Sequence, residues 1–197
     1  MSHYYKTDYN LNEENITIDF NFGNQSFSFV SNSGIFSKSH IDQGSRLLLD
    51  YLATLELKGD LLDVGCGYGI IGIVIKKLKP ELTVTMSDVN ERAVQAALAN
   101  CRINNVTAAV QTSDLFEQLG EVYDYIVTNP PIRAGKAVVQ ALVKEALEHL
   151  RIGASLILVV RKQQGALSLL KLVRSVFGNG EIVKKKHGYC ILRADRR

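Results

Sequence analysis

The stretch LLDVGCGYG, residues 61–69, decides the fold of this chain. Its first half is a short apolar run typical of a buried strand, and its second half is rich in glycine, which permits a tight turn. Apolar residues then continue to Leu78 and stop before Pro80, which predicts a helix directly after the turn. The stretch is therefore predicted to join a strand to a helix through a glycine turn.

Strand and helix patterns alternate from residue 60 to the C-terminus. The middle strands are continuous apolar runs, as in a parallel sheet covered by helices on both faces. Two closing strands, 181–187 and 189–195, meet at Gly188 and are therefore predicted to pair antiparallel. The chain is predicted to be a doubly wound, Rossmann-like α/β fold. Its seven-stranded sheet would be mostly parallel with an antiparallel last strand.

The residues before this region predict an extension of the same domain. Residues 16–30 alternate apolar and polar side chains on both sides of Gly23-Asn24, which predicts a short N-terminal β-hairpin. An amphipathic helix is predicted from about Asp42 to Leu57, and the helix that follows the fourth strand is predicted to end at Gly153. We expect 1–40 to hold the hairpin and a connecting loop, and 41–197 to form the main domain.

Composition indicates an ordinary globular protein. Apolar residues make up 46% and charged residues 22% of the 197 residues, and the net charge is +3. No apolar run is long enough to span a bilayer, and the N-terminus lacks the apolar core of a secretory signal. The three cysteines have no metal-ligand spacing. We expect a cytoplasmic protein with no membrane contact and no metal; whether it is a monomer or a homodimer stays open.

Basic residues are concentrated near the C-terminus. They are Lys184, Lys185, Lys186, His187, Arg193, Arg196 and Arg197. One interpretation is a solvated edge strand protected from aggregation by lysines. The other is a patch that contacts phosphates.

The glycine turn predicts a nucleotide-type ligand. Residues 67–72 formally match GxGxxG, the dinucleotide pattern. However, Asp63 closes the strand and would repel a pyrophosphate, whereas its carboxylate suits a ligand that carries an ammonium and a sulfonium. The arrangement therefore favours S-adenosylmethionine.

Further acids end the next two predicted strands. Asp88 could accept both ribose hydroxyls or could instead cap the helix that begins near Glu91, and Asp114 lies where the adenine amino group could be met. All of these positions fall at the carboxyl ends of strands, where open α/β sheets bind ligands. The predicted cofactor-binding residues are Asp63, Gly65, Gly67, Gly69, Asp88, Val89, Asp114, Leu115 and Asn129.

The tetrapeptide Asn129-Pro130-Pro131-Ile132 follows the fourth strand and is the predicted catalytic motif. Two prolines fix φ and remove N–H donors, which stiffens the loop. The Asn129 carboxamide oxygen and the Pro130 carbonyl could accept two hydrogen bonds from one –NH₂ group and so aim the nitrogen at a methyl donor. The alternative is a simple turn that closes a strand.

These motifs resemble class I methyltransferases that modify amino nitrogens. The segment SGIFSKSHIDQG, residues 33–44, also resembles the group of 16S ribosomal RNA guanine-N2 methyltransferases and their single-domain relatives. The resemblance implies methylation of guanine N2 in 16S ribosomal RNA, and it implies that Phe36 lines the cofactor or substrate cavity. The fourth position of the tetrapeptide is usually aromatic in this family, whereas here it is Ile132, which loses a base-stacking contribution of about 1–3 kcal/mol.

Substrate contacts are predicted at Phe36, Arg133 and Lys136, the last two placed where phosphates of a flipped nucleotide could pass. Their alternative is a solvated loop before a helix. RNA is the expected partner and substrate. A protein glutamine-N5 methyltransferase and an adenine-N6 nucleic-acid methyltransferase stay open, since both substrates also present a planar –NH₂.

Overall fold

The computed structural model describes residues 15–32, 41–130 and 135–197. The strands are β1 (Asn15–Phe22), β2 (Gln25–Asn32), β3 (Asp60–Val64), β4 (Thr83–Asp88), β5 (Ala109–Thr112), β6 (Tyr123–Thr128), β7 (Leu150–Arg161), β8 (Glu181–Lys186) and β9 (Tyr189–Asp195). The helices are α1 (Gln43–Leu52), α2 (Ile70–Leu78), α3 (Glu91–Ile103), α4 (Lys136–Glu148) and α5 (Ala166–Phe177).

Within the described residues, strands β3 to β9 form one seven-stranded sheet in the order β5-β4-β3-β6-β7-β9-β8. β9 runs antiparallel to both of its neighbours, and the remaining neighbouring pairs are parallel. This confirms the predicted doubly wound fold. The strand order reverses between β3 and β6, and the carboxyl ends of strands at such a reversal form the ligand crevice of open α/β sheets.

The two faces of the sheet bury separate hydrophobic cores. Neighbouring residues of β3 show why, since Leu61 packs into one core and Leu62 into the other, and both are fully buried. Helices α1, α2 and α3 contribute side chains to the first core, and α4 and α5 contribute to the second. Because successive side chains of a strand point to opposite faces, the adjacent leucines of β3 bury both faces of the sheet.

The predicted N-terminal hairpin is present as β1 and β2, joined at Gly23 with φ +58°. Asn100 of α3 and Asn104, the C-cap of α3, hydrogen-bond the outer edge of β2 as a neighbouring strand would. Asn100 accepts from the Val30 N–H at 2.8 Å and donates to the Val30 carbonyl at 2.9 Å. Asn104 makes the same pair of bonds with Ser28, at 3.1 and 2.7 Å. Both asparagines are buried, so their carboxamides satisfy backbone groups that would otherwise lack partners.

Two predicted helix ends were wrong. α1 ends at Leu52 and not at Leu57, because the Thr54 hydroxyl donates to the Tyr51 carbonyl at 2.7 Å while Leu57 is buried in the segment that leads into β3. α4 ends at Glu148, and Gly153 lies inside β7 with φ +83°. The apolar residues of both segments fit a helical period and so predict helices, but Leu57 is buried in the segment before β3 and Leu150 is buried as the first residue of β7.

Candidate functional site

The glycine turn between β3 and α2 is fixed to the end of β4. The N–H groups of Gly65 and Cys66 both donate to the Ser87 carbonyl, at 2.8 and 2.9 Å. A Cβ built on Gly65 or Gly67 would meet nothing within 4 Å, and both have positive φ, so the turn presents bare backbone to open space. A Cβ on Gly69 would lie 2.9 Å from Ile73 and 3.1 Å from Ala97. The first two glycines thus leave room for a ligand, and the third permits close packing.

Asp63 is fully buried directly before this turn. Its Oδ2 accepts from the Gly72 N–H at 3.0 Å, whereas no group in the described residues donates to its Oδ1. Burial raises the pKa of Asp63 to about 7; the Gly72 hydrogen bond opposes this rise and the charge of Asp88 adds to it. A buried carboxylate with a vacant acceptor is costly unless a cationic or donating ligand completes it.

Asp88 ends β4 and contacts the glycine turn. Its Oδ2 accepts from the Gly67 N–H and its Oδ1 from the Asn90 N–H, each at 2.9 Å. Burial raises the pKa of this carboxyl, and the hydrogen bonds oppose the rise. The cap of α3 is Asn90, whose side chain accepts from Arg92, so the capping alternative for Asp88 was wrong. Val89 beside it is 45% exposed, an apolar surface at the same edge.

Asp114 and Leu115 follow β5 at this edge of the sheet. The Ser113 N–H donates to the Asp88 carbonyl at 3.0 Å, which brings the end of β5 against the end of β4. Asp114 is exposed, and Leu115 has a left-handed φ of +48°. The structure therefore places both predicted residues near Asp88.

Asn129 follows β6, the neighbour of β3, on the other side of the turn. The two strand ends are joined by the buried Thr128, whose hydroxyl donates to the Val64 carbonyl at 2.8 Å. The Asn129 Nδ2 donates to Asp42 Oδ2 at 2.7 Å and to Ser45 Oγ at 3.0 Å. Both amide hydrogens have acceptors, and Oδ1 remains as the acceptor atom of the side chain.

Asp42 is a functional candidate that the sequence analysis missed. It caps α1, accepting from the N–H groups of Gly44 at 2.9 Å and Ser45 at 2.8 Å. The Tyr189 hydroxyl donates to its Oδ1 at 3.5 Å. The sequence indicates the helix start at Asp42, but nothing in it shows that this carboxylate reaches Asn129, 87 residues along the chain.

Of the remaining predicted site residues, the structure describes two and leaves four outside the described ranges. Pro130 is buried, and Lys136 is exposed as the first residue of α4. Phe36, Pro131, Ile132 and Arg133 lie outside the described residues. Burial raises the pKa of the Cys66 thiol well above its ordinary value, so this cysteine in the turn is not a nucleophile near neutral pH.

The described part of the chain has neither a metal-binding cluster nor a membrane-spanning helix. It contains no group of three His, Cys, Asp or Glu side chains placed to hold a metal ion. None of the helices in 15–32, 41–130 and 135–197 has the length and hydropathy needed to cross a bilayer.

The site fits S-adenosylmethionine. The vacant Oδ1 of Asp63 matches an ammonium group, the open backbone at Gly65 and Gly67 leaves space for the ligand, and the carboxylate of Asp88 offers acceptors for hydroxyls. These features occur at the strand-order reversal between β3 and β6.

Comparisons with known proteins agree with a methyltransferase site. A model of the methyltransferase small domain family matches residues 26–193. An uncharacterized protein of Bacillus subtilis, YbxB, is 41% identical over 197 residues and 98% of each chain. Ribosomal RNA small subunit methyltransferase C of Vibrio cholerae is 34% identical over 170 residues. The aligned region covers 83% of this chain and 48% of that relative.

A similar solved structure is the Thermus thermophilus 16S rRNA N2 G1207 methyltransferase, in complex with AdoMet and guanosine. It aligns with a TM-score of 0.82 at 27% identity, covering 93% of this chain and 51% of that one. The chain thus spans about half the length of the methyltransferase C relatives that it matches. It belongs to the methyltransferase small domain family, and it is an S-adenosylmethionine-dependent methyltransferase.

Proposed function

We propose that this chain transfers a methyl group to the exocyclic amino group of an RNA base, with guanine N2 of 16S ribosomal RNA as the target. The observation that carries the proposal is the orientation of Asn129, whose amide hydrogens are bound by Asp42 and Ser45 and whose oxygen remains as an acceptor. An acceptor beside a methyl-donor site is what an –NH₂ substrate requires.

The cofactor is held, in this proposal, by the residues at the ends of β3, β4 and β5. Asp63 accepts from its ammonium group, the backbone of Gly65 and Gly67 faces it, and Asp88 accepts from the ribose hydroxyls. The adenine is flanked by Val89, Asp114 and Leu115. Gly69 lets the turn pack closely on α3. The bound cofactor supplies an electrophilic methyl group on its sulfonium.

Asn129 and Pro130 act by positioning the nitrogen of the substrate. The Asn129 oxygen and the Pro130 carbonyl accept its two hydrogens, which turns the lone pair toward the methyl group. Both acceptors are neutral dipoles, and they stabilise positive charge as it grows on the nitrogen. Thr128 keeps this corner attached to β3.

Asp42 fixes which end of the Asn129 carboxamide faces the substrate. A carboxylate only accepts, so it selects the rotamer in which Nδ2 points toward α1 and Oδ1 points away. A charge-assisted hydrogen bond also polarises the carboxamide and strengthens its oxygen as an acceptor.

We expect Asp42→Ser to lower kcat roughly tenfold to hundredfold, because Asn129 loses its orienting partner. Serine caps helices about as well as aspartate, so the melting temperature and the affinity for S-adenosylmethionine should stay close to wild type. The measurements are steady-state kinetics and thermal unfolding. Ser45→Ala is the matched comparison, since it removes the weaker acceptor and keeps the carboxylate, and its effect should be smaller. An unchanged kcat in Asp42→Ser would contradict the role.

The proposed substrate is supported by the relatives, since the geometry alone does not distinguish one planar –NH₂ group from another. The Vibrio cholerae relative is named as a methyltransferase of small-subunit ribosomal RNA, whereas YbxB is uncharacterized. The similar Thermus thermophilus structure is a complex with AdoMet and guanosine. Guanine N2, adenine N6 and a glutamine amide all present the same planar –NH₂, so only an experiment on whole substrates separates them.

The proposal is tested with radiolabelled S-adenosylmethionine and small ribosomal subunits from a strain that lacks this protein. We expect label in 16S ribosomal RNA and, after digestion to nucleosides, in N2-methylguanosine. Subunits from the parent strain should accept no label, because their target is already methylated. Label in protein would replace the proposal with glutamine methylation, and label in N6-methyladenosine would replace guanine with adenine. Absence of label in all fractions would overturn it.

A further inference from the structure

We infer that a basic surface beside the methyl-transfer site binds the phosphate backbone of the RNA substrate. The surface, called here the basic rim, consists of Arg161, Lys162, Lys185, Lys186 and His187. The inference rests on the proposed function, and it adds where the RNA chain lies relative to the site.

The basic rim lies at the same edge of the sheet as the site. Arg161 ends β7, which runs parallel to β6, so it lies at the edge where Asn129 follows β6. In the sheet register, Tyr189 pairs with Arg161 on one side and with Lys186 on the other. The Lys162 N–H donates to the Gly188 carbonyl at 2.7 Å, which joins the end of β7 to the turn between β8 and β9.

Tyr189 connects the basic rim to the positioning residues. The Arg161 guanidinium lies over its ring, 5.4 Å from the centroid. Its hydroxyl donates to Asp42, which in turn accepts from Asn129. A chain of direct contacts therefore runs from Arg161 of the basic rim to Asn129, the proposed acceptor for the substrate amine.

The side chains of the basic rim make few charge interactions within the fold, the cation–π contact of Arg161 with Tyr189 being one. All five side chains are exposed. Among the described residues, Lys186 has one carboxylate, Asp50, at 4.0 Å and is still 53% exposed, whereas Lys162 and Lys185 have none within that distance. Such weak, exposed pairing leaves the cations available to phosphates.

The other basic residues of the C-terminal region have structural partners or a different location. Arg193 pairs with Asp195 at 3.0 Å. Arg196 donates to the Glu148 carbonyl at 3.1 Å, at the opposite edge of the sheet. The basic residues near the C-terminus thus include some that are bound within the fold and some that are exposed at the edge of the sheet where the site lies.

Protection of an edge strand does not explain the basic rim. Lysines on β8 could serve that purpose, because β8 is the last strand of the sheet. Arg161 belongs to β7, which has neighbours on both sides, and Lys162 lies in a short turn of 3₁₀ helix after it. Two of the cations therefore need another reason to be there, and phosphate binding supplies one.

The test compares two triple variants that remove equal charge. Lys162→Ala, Lys185→Ala and Lys186→Ala alter the basic rim. The control, Lys58→Ala, Lys79→Ala and Arg197→Ala, alters residues that precede β3 and β4 or follow β9, all at the opposite edge. Filter binding of an unmodified 16S ribosomal RNA transcript is measured across salt concentrations, together with methyl-transfer kinetics on small subunits.

We expect the rim variant to weaken transcript binding about tenfold or more and to reduce the salt slope by about 2–3. The KM for small subunits should rise while kcat and the KM for S-adenosylmethionine stay unchanged. Equal binding and salt slope in both triple variants would overturn the inference even if the RNA is methylated. If the wild-type protein binds the transcript but methylates no RNA, the proposed function fails, and the comparison of binding still decides the role of the basic rim.

Discussion

We expect Asn129→Ala to lower kcat by about 10²- to 10⁴-fold while the affinity for S-adenosylmethionine stays within about twofold. Alanine removes the oxygen that we propose accepts from the substrate nitrogen. It leaves untouched the carboxylates and open backbone at the ends of β3 and β4, which we propose hold the cofactor. Rapid-quench methyl transfer on small subunits and isothermal titration with the cofactor measure the two quantities.

Two further variants sharpen this prediction. Asn129→Asp keeps the size of the side chain but puts a carboxylate where Nδ2 lies 2.7 Å from Asp42, so repulsion should displace it and activity should be lost as well. Asn21→Ala, an exposed asparagine of the hairpin, should behave like wild type. If Asn129→Ala turned over at the wild-type rate, the positioning role would be ruled out.

The second large effect is expected at Asp63, where one substitution should improve folding and impair binding. Asp63→Asn removes a buried carboxyl whose pKa is raised to about 7 from an ordinary value of 3.8. In the cofactor-free protein at pH 8, this should raise the free energy of unfolding by on the order of 2–4 kcal/mol, because no buried charge remains. The asparagine oxygen can still accept from Gly72.

The pH dependence has a definite sign. Because the folded protein holds the Asp63 proton more tightly than the unfolded chain, wild-type stability from this group is full below about pH 4 and is lost as the pH rises to about 7. Affinity for the cationic cofactor should change in the opposite direction, falling as the pH drops through about 7. Asp63→Asn should lack both dependences, and its affinity should fall roughly 10- to 100-fold.

Urea unfolding at pH 5 and pH 8 and calorimetric titration of the cofactor measure these changes. Asp19→Asn is the matched control, since this carboxylate is exposed and should affect neither quantity. A variant that bound the cofactor as tightly as wild type would show that the vacant Oδ1 has another purpose.

Much of this architecture could be predicted because local patterns determine it. The buried parallel strands are short runs dominated by apolar residues, as in β3, where Leu61, Leu62 and Val64 are buried and Asp63 interrupts the run. Gly65 and Gly67 predict an open turn after it, because glycine adopts positive φ without a side chain. The position of Asn129 after the fourth strand of the main sheet was also predictable, because strand ends follow from the same runs.

Contacts between distant segments could not be predicted. The neighbours of Asp42 predict a helix cap, and its bond to Asn129 depends on how α1 packs on β7 and β9. The cap of α3 proved to be Asn90 and not Asp88, because the Asp88 side chain is turned toward Gly67. The locations of the basic residues near the C-terminus likewise depend on strand register. The register pairs Lys186 with Tyr189 and leaves Arg196 at the opposite edge of the sheet.

The side chain of Asn100 has one further consequence. Besides holding Val30, its Nδ2 donates to the Tyr68 carbonyl at 2.9 Å, within the glycine turn. The Tyr68 ring also meets Phe29 edge-on, with centroids 5.7 Å apart. Lifting the hairpin from α3 would break contacts that also hold the glycine turn, so we expect these two distant pieces of chain to open together in native-state fluctuations.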